Sequence, residues 1–269
     1  MAANPRPRLT DLVDDERIRA HGYRHSPHLG QWWLAHRLQS LVLTALADRA
    51  TGGAPPAVLE IGASHGSMAV PLLAAGARVT LIEATPAALA AADAACGGND
   101  RYRGVLDPDL SLAEAPGSAD LVLIVSALHH IPNYLALLDR AVERVRPGGV
   151  LLTLSDPLFY PRLPSVTRRA DRAAYLAWRV TRGEVADGLA ALRRRARGEF
   201  PRPSPDEIDY YHVVRQGVDE EAVTARLSPH FIDVELIRYW SNHFGGVAPL
   251  AERLGLANTF AVRATGRLG

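Results

Sequence analysis

The amino-acid sequence predicts an α/β protein with a doubly wound, mostly parallel sheet of seven strands. Short segments from residue 57 onward are continuously apolar, and helical segments lie between them. Continuous apolar strands indicate burial on both faces, and intervening helices indicate parallel pairing with right-handed crossovers. The 269 residues suffice for one such domain with an elaboration. Strands are predicted at residues 57–61, 78–82, 102–106, 120–125 and 150–154, followed by two final strands at 231–240 and 258–264.

Periodicity and end signals place the helices. Residues 31–49 carry apolar side chains at three- and four-residue spacing, which predicts a helix with one buried stripe. Thr85 followed by Pro86 is typical of a helix start, with Thr85 as the N-cap residue. Asn133 is expected to cap a further helix over residues 134–146. The alternation of strands and helices predicts a layer of helices on each face of the doubly wound sheet.

Charge and composition exclude several classes of function. The chain has 30 basic and 29 acidic residues, so its formal net charge is only +1. This balance gives no overall field that attracts nucleic acid or a membrane surface, and neither partner is expected. No lysine occurs in the sequence, which excludes a Schiff-base lysine and a P-loop lysine. A small-molecule partner is therefore favoured, with the chain as a monomer or a homodimer.

The cysteine content and the N-terminal residues indicate the cellular compartment. Cys96 is the single cysteine, which excludes an intrachain disulfide and a zinc site built on several thiolates. The first eight residues contain no apolar segment typical of a secretory signal, so a cytoplasmic location is expected. No apolar run approaches the length that spans a bilayer.

A glycine-rich turn after the first strand is the most informative motif. The segment from Glu60 to Gly66 reads Glu-Ile-Gly-Ala-Ser-His-Gly and leads into a helix. Glycine lets a ligand approach the backbone closely, and free N–H groups of the following helix face that ligand. The second strand ends at Glu83, 21 positions after Gly62, where an acid can accept hydrogen bonds from both ribose hydroxyls. Ser64 and Ser67 occupy glycine positions of the dinucleotide pattern, which disfavours a nucleotide-dependent oxidoreductase.

The spacing acid-x-G-x-G-x-G fits Glu60, Gly62 and Gly66, with Ser64 at the middle glycine. It resembles motif I of the class I S-adenosylmethionine (SAM)-dependent methyltransferases, of the small-molecule, secondary-metabolite type. Residues 118–132 resemble that family's fourth strand and the loop after it, and residues 144–151 resemble its Pro-Gly-Gly helix end. The resemblance covers roughly residues 58–156 and implies a Rossmann-like fold with SAM as cofactor.

The resemblance also implies roles for particular residues. Glu60 orients the loop near the methionine amine, Glu83 holds the ribose, and Asp107 receives the adenine amine. Tyr23 belongs to a lid over the cofactor, and Ser126 faces the sulfonium. The cofactor-binding residues expected on this basis are Tyr23, Glu60, Gly62, Ala63, Ser64, Gly66, Glu83, Ala84, Asp107 and Ser126.

Four regions follow from this assignment. Residues 1–50 form an N-terminal arm and helical lid, and residues 51–157 form the SAM-binding core. Residues 158–228 form a helical insertion between strands five and six that caps the substrate. Residues 229–269 supply the final strands of the core sheet.

Methyl transfer mainly requires alignment, and a general base is needed only where the acceptor must lose a proton. His130 follows the fourth strand, where it either shapes the loop or acts as that base. His25, Tyr211 and His212 are further candidates, since they lie in the predicted lid and insertion. The histidines near His25 lack an accompanying carboxylate or thiolate pattern, so no metal site is expected.

The sequence thus predicts a SAM-dependent methyltransferase that acts on an oxygen, carbon or nitrogen atom of a small molecule. By analogy, its arginine- and alanine-rich composition suits an enzyme of bacterial natural product biosynthesis. The alternative is a SAM-binding protein of the same fold with a role other than methylation, such as a cyclase.

Overall fold

The computed structural model describes residues 32–47, 54–62, 68–113, 115, 117, 119–181, 193, 197, 216–241 and 248–269. Within these ranges, seven strands form one sheet in the order β3-β2-β1-β4-β5-β7-β6. The strands are β1 (Ala57–Ile61), β2 (Arg78–Glu83), β3 (Tyr102–Leu106), β4 (Ala119–Val125), β5 (Val145–Pro157), β6 (Phe231–Tyr239) and β7 (Thr259–Arg267). β1 to β5 pair in parallel, whereas β7 is antiparallel to both β5 and β6. The predicted seven-stranded, mostly parallel sheet is confirmed.

The helices of four or more residues in the described ranges flank this sheet. They are α1 (Trp32–Ala47), α2 (Ala69–Ala74), α3 (Pro86–Cys96), α4 (Tyr134–Arg144), α5 (Ser165–Thr181), α6 (Glu220–Leu227) and α7 (Ala248–Arg253). α1 matches the helix predicted at residues 31–49, and α5 and α6 lie within the predicted helical insertion, whereas no helix is predicted at α7. None of the helices in these ranges is long and apolar enough to cross a membrane.

The core consists of two apolar layers, one on each face of the sheet. Residues of α1, α2 and α3 pack on one face, which we call the α1 face. Residues of α4 and α6 pack on the other, which we call the α4 face. β4 lies between β1 and β5, and every one of its residues is buried. The continuous apolar run of β4 therefore follows from its coverage on both sides.

The region predicted as an insertion, residues 158–228, contains α5 and ends with α6. The buried Val223 and Leu227 of α6 belong to the apolar layer on the α4 face. Ala170 of α5 packs on the fully buried Trp240, together with Ala248 and Ala251 of α7. Both ends of this region are thus in contact with the sheet and its flanking helices.

Two predicted helix caps have different outcomes. Thr85 caps α3 as predicted, since its Oγ1 accepts the Ala88 N–H at 3.2 Å and Pro86 occupies the first turn. Asn133 precedes α4, but its side chain makes no cap hydrogen bond, so that prediction is wrong. The reason is its backbone: φ −120° and ψ 62° lie outside the extended conformation of Thr85, at φ −126° and ψ 145°.

β5 is longer than predicted at both ends. It includes the Pro-Gly-Gly segment at residues 147–149 and continues beyond Leu154 to Pro157. Its pairing with β7 shifts register between Thr153 and Asp156, which is a β-bulge. Asp156 lies beyond the predicted end of the strand at residue 154, and the bulge keeps it within β5.

Replacement of Thr85 by alanine tests the cap of α3. We expect Thr85→Ala to lower the free energy of unfolding by about 1 kcal/mol, because the Ala88 N–H loses its acceptor. Thr85→Ser retains a hydroxyl at the same position and should remain close to the wild type. Urea denaturation of the three proteins measures the difference, and equal stability of Thr85→Ala and wild type would contradict the assignment.

Candidate active site at the carboxyl edge of the sheet

The carboxyl ends of the parallel strands form the candidate site. β1 pairs with β2 on one side and with β4 on the other, so the strand order reverses between β1 and β4. Ligands of doubly wound sheets bind in the crevice at such a switch point. The segments that follow β1, β2, β3, β4 and β5 are therefore the candidates for contact with a ligand.

Gly62 begins the turn after β1 in a conformation that requires glycine. Its φ is +72°, and its N–H donates to the Ile82 carbonyl oxygen at 2.9 Å. A Cβ at this position would lie 2.8 Å from the Cβ of Ala127, in the segment after β4. Because these two segments lie so close together, the crevice at the switch point is narrow. Any side chain at residue 62 would push the two segments apart.

Glu60 lies in β1 and is fully buried. Neither of its carboxylate oxygens has a hydrogen-bond partner among the described residues. Burial, and after it the negative charge of Glu83, raises the pKa of Glu60 to about 8, against the lowering effect of the nearby backbone N–H groups of Ala69 and Met68. A buried acid without partners is costly, so its position is typical of a group that meets a ligand.

Glu83 and Ala84, at the end of β2, are both buried beside the switch point. The Glu83 carbonyl oxygen accepts the Asp107 N–H at 2.8 Å, which ties the ends of β2 and β3 together. The carboxylate of Asp107 accepts the Leu112 N–H at 2.8 Å and the Ser111 hydroxyl at 3.2 Å. In this structure Asp107 therefore orders the loop after β3.

Two serines at strand ends have left-handed backbone conformations. Ser126 follows β4 with φ +51°, and Ser155 lies in the β5 bulge with φ +64°. The Ser126 N–H donates to the Leu154 carbonyl oxygen at 2.7 Å, so the two strained positions are neighbours. Non-glycine residues with positive φ are uncommon and cluster at functional sites.

His129 and Asp156 form a buried pair at the ends of β4 and β5. His129 Nδ1 lies 2.8 Å from Asp156 Oδ1, and the His129 backbone N–H donates to the same oxygen at 3.0 Å. Asp156 is fully buried, and burial raises its pKa to about 8, while the backbone N–H groups of His129 and Leu128 lower it. The sequence analysis missed Asp156 and did not favour His129.

His130 lies next to this pair and is half-buried. Its ring is tilted on that of His129, with 4.0 Å between ring centroids. Among the described residues, no group of three or more His, Cys, Asp or Glu side chains is placed to hold a metal ion.

The structure brings together Glu60, Gly62, Glu83, Ala84, Asp107, Ser126 and His130 at one edge of the sheet. Their predicted contacts with cofactor or acceptor stay predictions. The remaining candidates, Tyr23, His25, Ala63, Ser64, Gly66, Tyr211 and His212, lie outside the described residues.

Residues 59–151 match a family model described as a methyltransferase domain. The match places a methyltransferase domain at these residues. The matched range runs from within β1 into β5 and contains the glycine turn, β4 and the Pro-Gly-Gly segment, which carry the resemblance in the sequence. The predicted family resemblance is confirmed.

Curated relatives of this methyltransferase domain are ubiquinone biosynthesis O-methyltransferases. That of Xanthomonas campestris pv. campestris (strain B100) is 31% identical over 134 residues, which cover 45% of this chain and 54% of the relative. That of Cronobacter sakazakii (strain ATCC BAA-894) is 27% identical over 141 residues, which cover 52% and 58%. The chain spans about half the length of these relatives.

The fold extends beyond the matched residues. The crystal structure of the N-methyltransferase NodS from Bradyrhizobium japonicum WM9, in complex with S-adenosyl-L-homocysteine, matches 96% of this chain and 95% of its own, with a TM-score of 0.51 and 15% identity. An O-methyltransferase family protein from Burkholderia thailandensis matches 96% of this chain and 64% of its own, with a TM-score of 0.53 and 14% identity. The likeness thus shows the methyltransferase fold beyond residues 59–151.

Substitution of Gly62 tests the narrow switch point of the methyltransferase domain. We expect Gly62→Ala to destabilise the fold by roughly 1–2 kcal/mol from the positive φ, plus roughly 1–3 kcal/mol from the contact with Ala127. Gly98→Ala is the matched control, because Gly98 has φ +81° with nothing within 4 Å of the added Cβ. Ala127→Gly should restore part of the loss in Gly62→Ala. Equal losses in the two alanine variants, measured by urea unfolding, would show that the contact does not matter.

Replacement of Glu60 by glutamine tests whether burial raises the pKa of this carboxyl. The folded protein keeps the Glu60 proton up to about pH 8, whereas the unfolded chain loses it near the ordinary value of 4.5. The folded state thus binds more protons between these values, and the free energy of unfolding falls as the pH rises through that window.

Glutamine cannot ionise, so Glu60→Gln should raise the melting temperature by several degrees at about pH 8.5 and change it less at about pH 5. Glu143→Gln, at the far end of α4, is the control and should not change the pH dependence. A Glu60→Gln protein that is less stable than the wild type at the higher pH would contradict the interpretation.

Proposed function

We propose that this chain is a SAM-dependent methyltransferase that acts on a small-molecule acceptor. One observation carries the proposal: Gly62 at the switch point and Glu83 at the end of the neighbouring strand lie within the residues that match the methyltransferase family. Such an edge suits a nucleoside with a chain attached to its sugar. The sugar would contact Glu83, and the attached chain would lie over the glycine turn.

The described residues fit the cofactor. SAM, when bound, supplies a methyl group activated by the positive charge on sulfur. The carboxylate of Glu60 is buried and has no hydrogen-bond partner among the described residues, so it offers a counter-charge for the cofactor amine, which also favours ionisation of that carboxyl. Gly62 permits close backbone approach, and Glu83 offers acceptors for the ribose hydroxyls. Because the leaving group is already activated, these residues contribute mainly by alignment.

The acceptor is proposed to be a small molecule with a hydroxyl group. The support is the curated relatives, which are O-methyltransferases of ubiquinone biosynthesis. The near-zero net charge disfavours nucleic acid and anionic membrane surfaces as partners. A role in natural product biosynthesis, a cytoplasmic location and a monomeric or homodimeric state complete the proposal.

The surroundings of the acceptor are proposed to come from two regions outside the sheet. Residues 1–50, with Tyr23 and His25, act as a lid over the cofactor. Residues 158–228, with Tyr211 and His212, cover the acceptor. His130 contributes from the segment after β4, where its ring packs on His129.

Calorimetry with SAM, S-adenosylhomocysteine and NAD tests the proposed function. We expect binding of the first two and none of NAD. Transfer of a labelled methyl group from SAM to a hydroxyl acceptor then distinguishes a methyltransferase from a protein that binds SAM for another purpose, such as a cyclase. Binding of NAD alone would overturn the proposal.

Glu83→Ala tests the ribose contact. We expect its affinity for SAM to fall by about 1–3 kcal/mol, because the ribose hydroxyls lose a charged acceptor in a buried site. This corresponds to a roughly 5- to 150-fold rise in the dissociation constant. Glu143→Ala is the matched control and should bind SAM like the wild type. Unchanged affinity in Glu83→Ala would remove Glu83 from the binding site.

A further inference from the structure

Two serines retain accessible surface where β4 and β5 end. Between residues 119 and 129, Ser126 is half-buried and every other residue is buried, and between residues 150 and 156 the same holds for Ser155. Apolar layers cover both strands on both faces, so the surface that these serines retain lies at the carboxyl edge. The Ser126 N–H donates to the Leu154 carbonyl oxygen at 2.7 Å, which places the two serines side by side.

The backbone of Ser155 has a conformation that serine seldom adopts. Its φ is +64°, in the left-handed region, and the residue lies in the bulge of β5. Such strain persists only where the surrounding structure imposes it, and it clusters at functional sites. Bulges beside active sites commonly redirect one side chain. The conformation of Ser155 therefore indicates a role beyond formation of the sheet.

Tyr239 holds Ser155 in this conformation. The Ser155 N–H donates to the Tyr239 hydroxyl at 3.0 Å, and the two hydroxyl oxygens are 3.2 Å apart. Tyr239 is only 2% exposed. The Arg37 guanidinium of α1 lies over its ring, 5.5 Å from the centroid, and pairs with Glu252 of α7 at 2.5 Å. Contacts from β5, α1 and α7 thus fix the position of the tyrosine.

The hydrogen bonds of this pair determine the direction of the Ser155 hydroxyl proton. The Tyr239 oxygen already accepts the Ser155 N–H, and a buried hydroxyl proton without an acceptor is costly. Ser155 Oγ is the acceptor within reach of the Tyr239 proton among the described residues, so Tyr239 donates to it. The Ser155 hydroxyl keeps its own proton available for a ligand at the carboxyl edge.

The location of Ser155 assigns it to the acceptor and not to the cofactor. Ser126 is expected to face the sulfonium. Ser155 follows the next strand of the sheet, about 5 Å further from β1 and β2, which are proposed to hold the cofactor. A donor at that distance contacts the molecule that approaches the methyl group.

The surrounding charges favour a neutral group over an anion. An oriented hydroxyl proton selects an oxygen that accepts a hydrogen bond, such as that of a carbonyl or a carboxylate. A buried carboxylate would also need a cation. The arginine of this network, Arg37, is paired with Glu252, and the neighbouring buried groups Glu83 and Asp156 are acids. A carbonyl oxygen needs only the donor that Ser155 offers.

We propose that Ser155 binds a neutral carbonyl oxygen of the acceptor, beside the hydroxyl group that receives the methyl group. This inference rests on the proposed function and adds to it a chemical feature of the acceptor. Ser155 is an acceptor-binding residue in this scheme, and Tyr239 is a positioning residue that acts through it.

Matched pairs of phenols test this role. The probes are 2-, 3- and 4-hydroxyacetophenone, each compared with the ethylphenol of the same substitution, which has a methylene group in place of the carbonyl. With SAM labelled in its methyl group, we expect the wild type to prefer at least one hydroxyacetophenone to its ethylphenol in kcat/KM. Ser155→Gly should reduce that preference about 10-fold, because the carbonyl loses its donor, and should change the ethylphenol rates little.

Comparison of the same two phenols in two proteins cancels their difference in acidity. Glycine is chosen at residue 155 because it accepts a positive φ, so Ser155→Gly should be no less stable than the wild type in urea. Ser155→Ala removes the same hydroxyl but retains Cβ, and it should lose the preference equally. Ser228→Gly is the control, because it removes a hydroxyl that donates to the Thr224 carbonyl oxygen before β6.

Tyr239→Phe tests the positioning role. Without the tyrosine hydroxyl, Ser155 keeps its proton but loses its orientation, so we expect a smaller loss of preference than in Ser155→Gly. The double variant should have the preference of Ser155→Gly alone, because Tyr239 acts through Ser155. Tyr102→Phe, which removes a hydroxyl that donates to Asp93 at 2.9 Å, should behave like the wild type. A further loss of preference in the double variant would overturn the positioning role.

Failure of this inference is distinguishable from failure of the proposed function. SAM affinity, measured by calorimetry, should stay within about twofold of the wild type in the variants of Ser155 and Tyr239, because neither residue is assigned to the cofactor. A wild-type chain that does not bind SAM fails the proposed function itself.

A chain that binds SAM and methylates the ethylphenols as readily as the hydroxyacetophenones retains the proposed function and overturns the role of Ser155. The same conclusion follows if it methylates amines and none of these phenols. An unchanged preference in Ser155→Gly and Ser155→Ala, or an equal loss with both classes of phenol, would also overturn the inference.

Discussion

Burial of the central strands on both faces is the constraint on which this site depends. β4 has no exposed residue, and the neighbouring β1 and β5 are buried over most of their length. Side chains within such a sheet meet other side chains and not a ligand, so polar chemistry is confined to the points where strands end. Parallel pairing of β1 to β5 collects five of those ends at one edge. Gly62, Glu83, Ser126 and the pair of His129 and Asp156 all lie there because of this geometry.

Buried carboxylates have different partners at the amino ends and at the carboxyl ends of the parallel strands, which we call the amino edge and the carboxyl edge. Asp120, at the amino edge, accepts the Ala57 N–H at 2.8 Å and lies 2.5 Å from an Arg146 nitrogen. At the carboxyl edge, no arginine of the described ranges forms an ion pair with Glu60 or Asp156. The amino edge is thus internally compensated, as a structural ion pair should be. At the carboxyl edge, burial instead raises the pKa of Glu60 and of Asp156 to about 8, so both carboxyls tend to hold a proton, as is common for acids at functional sites.

The sequence predicts the parts of the site that depend on local patterns. The continuous apolar residues of β4 predict a central strand, and the glycine after Glu60 predicts the turn at the switch point. The role of Asp156 depends instead on a contact across 27 residues and on a bulge that no local pattern marks. Its position before Pro157 is typical of a loop, so the sequence analysis ended the strand too early. The rule that adjacent parallel strands end at the same edge was the available signal, since it places an acid after the fifth strand beside histidines after the fourth.

The bulge changes the face of the sheet on which the side chain of Asp156 lies, compared with the regular alternation of side chains along β5. Without the extra residue, Asp156 would lie on the α1 face, away from the turn that contains His129. The extra residue leaves the Ser155 N–H outside the regular ladder, and a buried donor without an acceptor is costly. The Tyr239 hydroxyl on β6 supplies that acceptor. A tyrosine on β6, an edge strand of the sheet, thereby fixes the orientation of a carboxylate on β5 and, through it, of a histidine after β4.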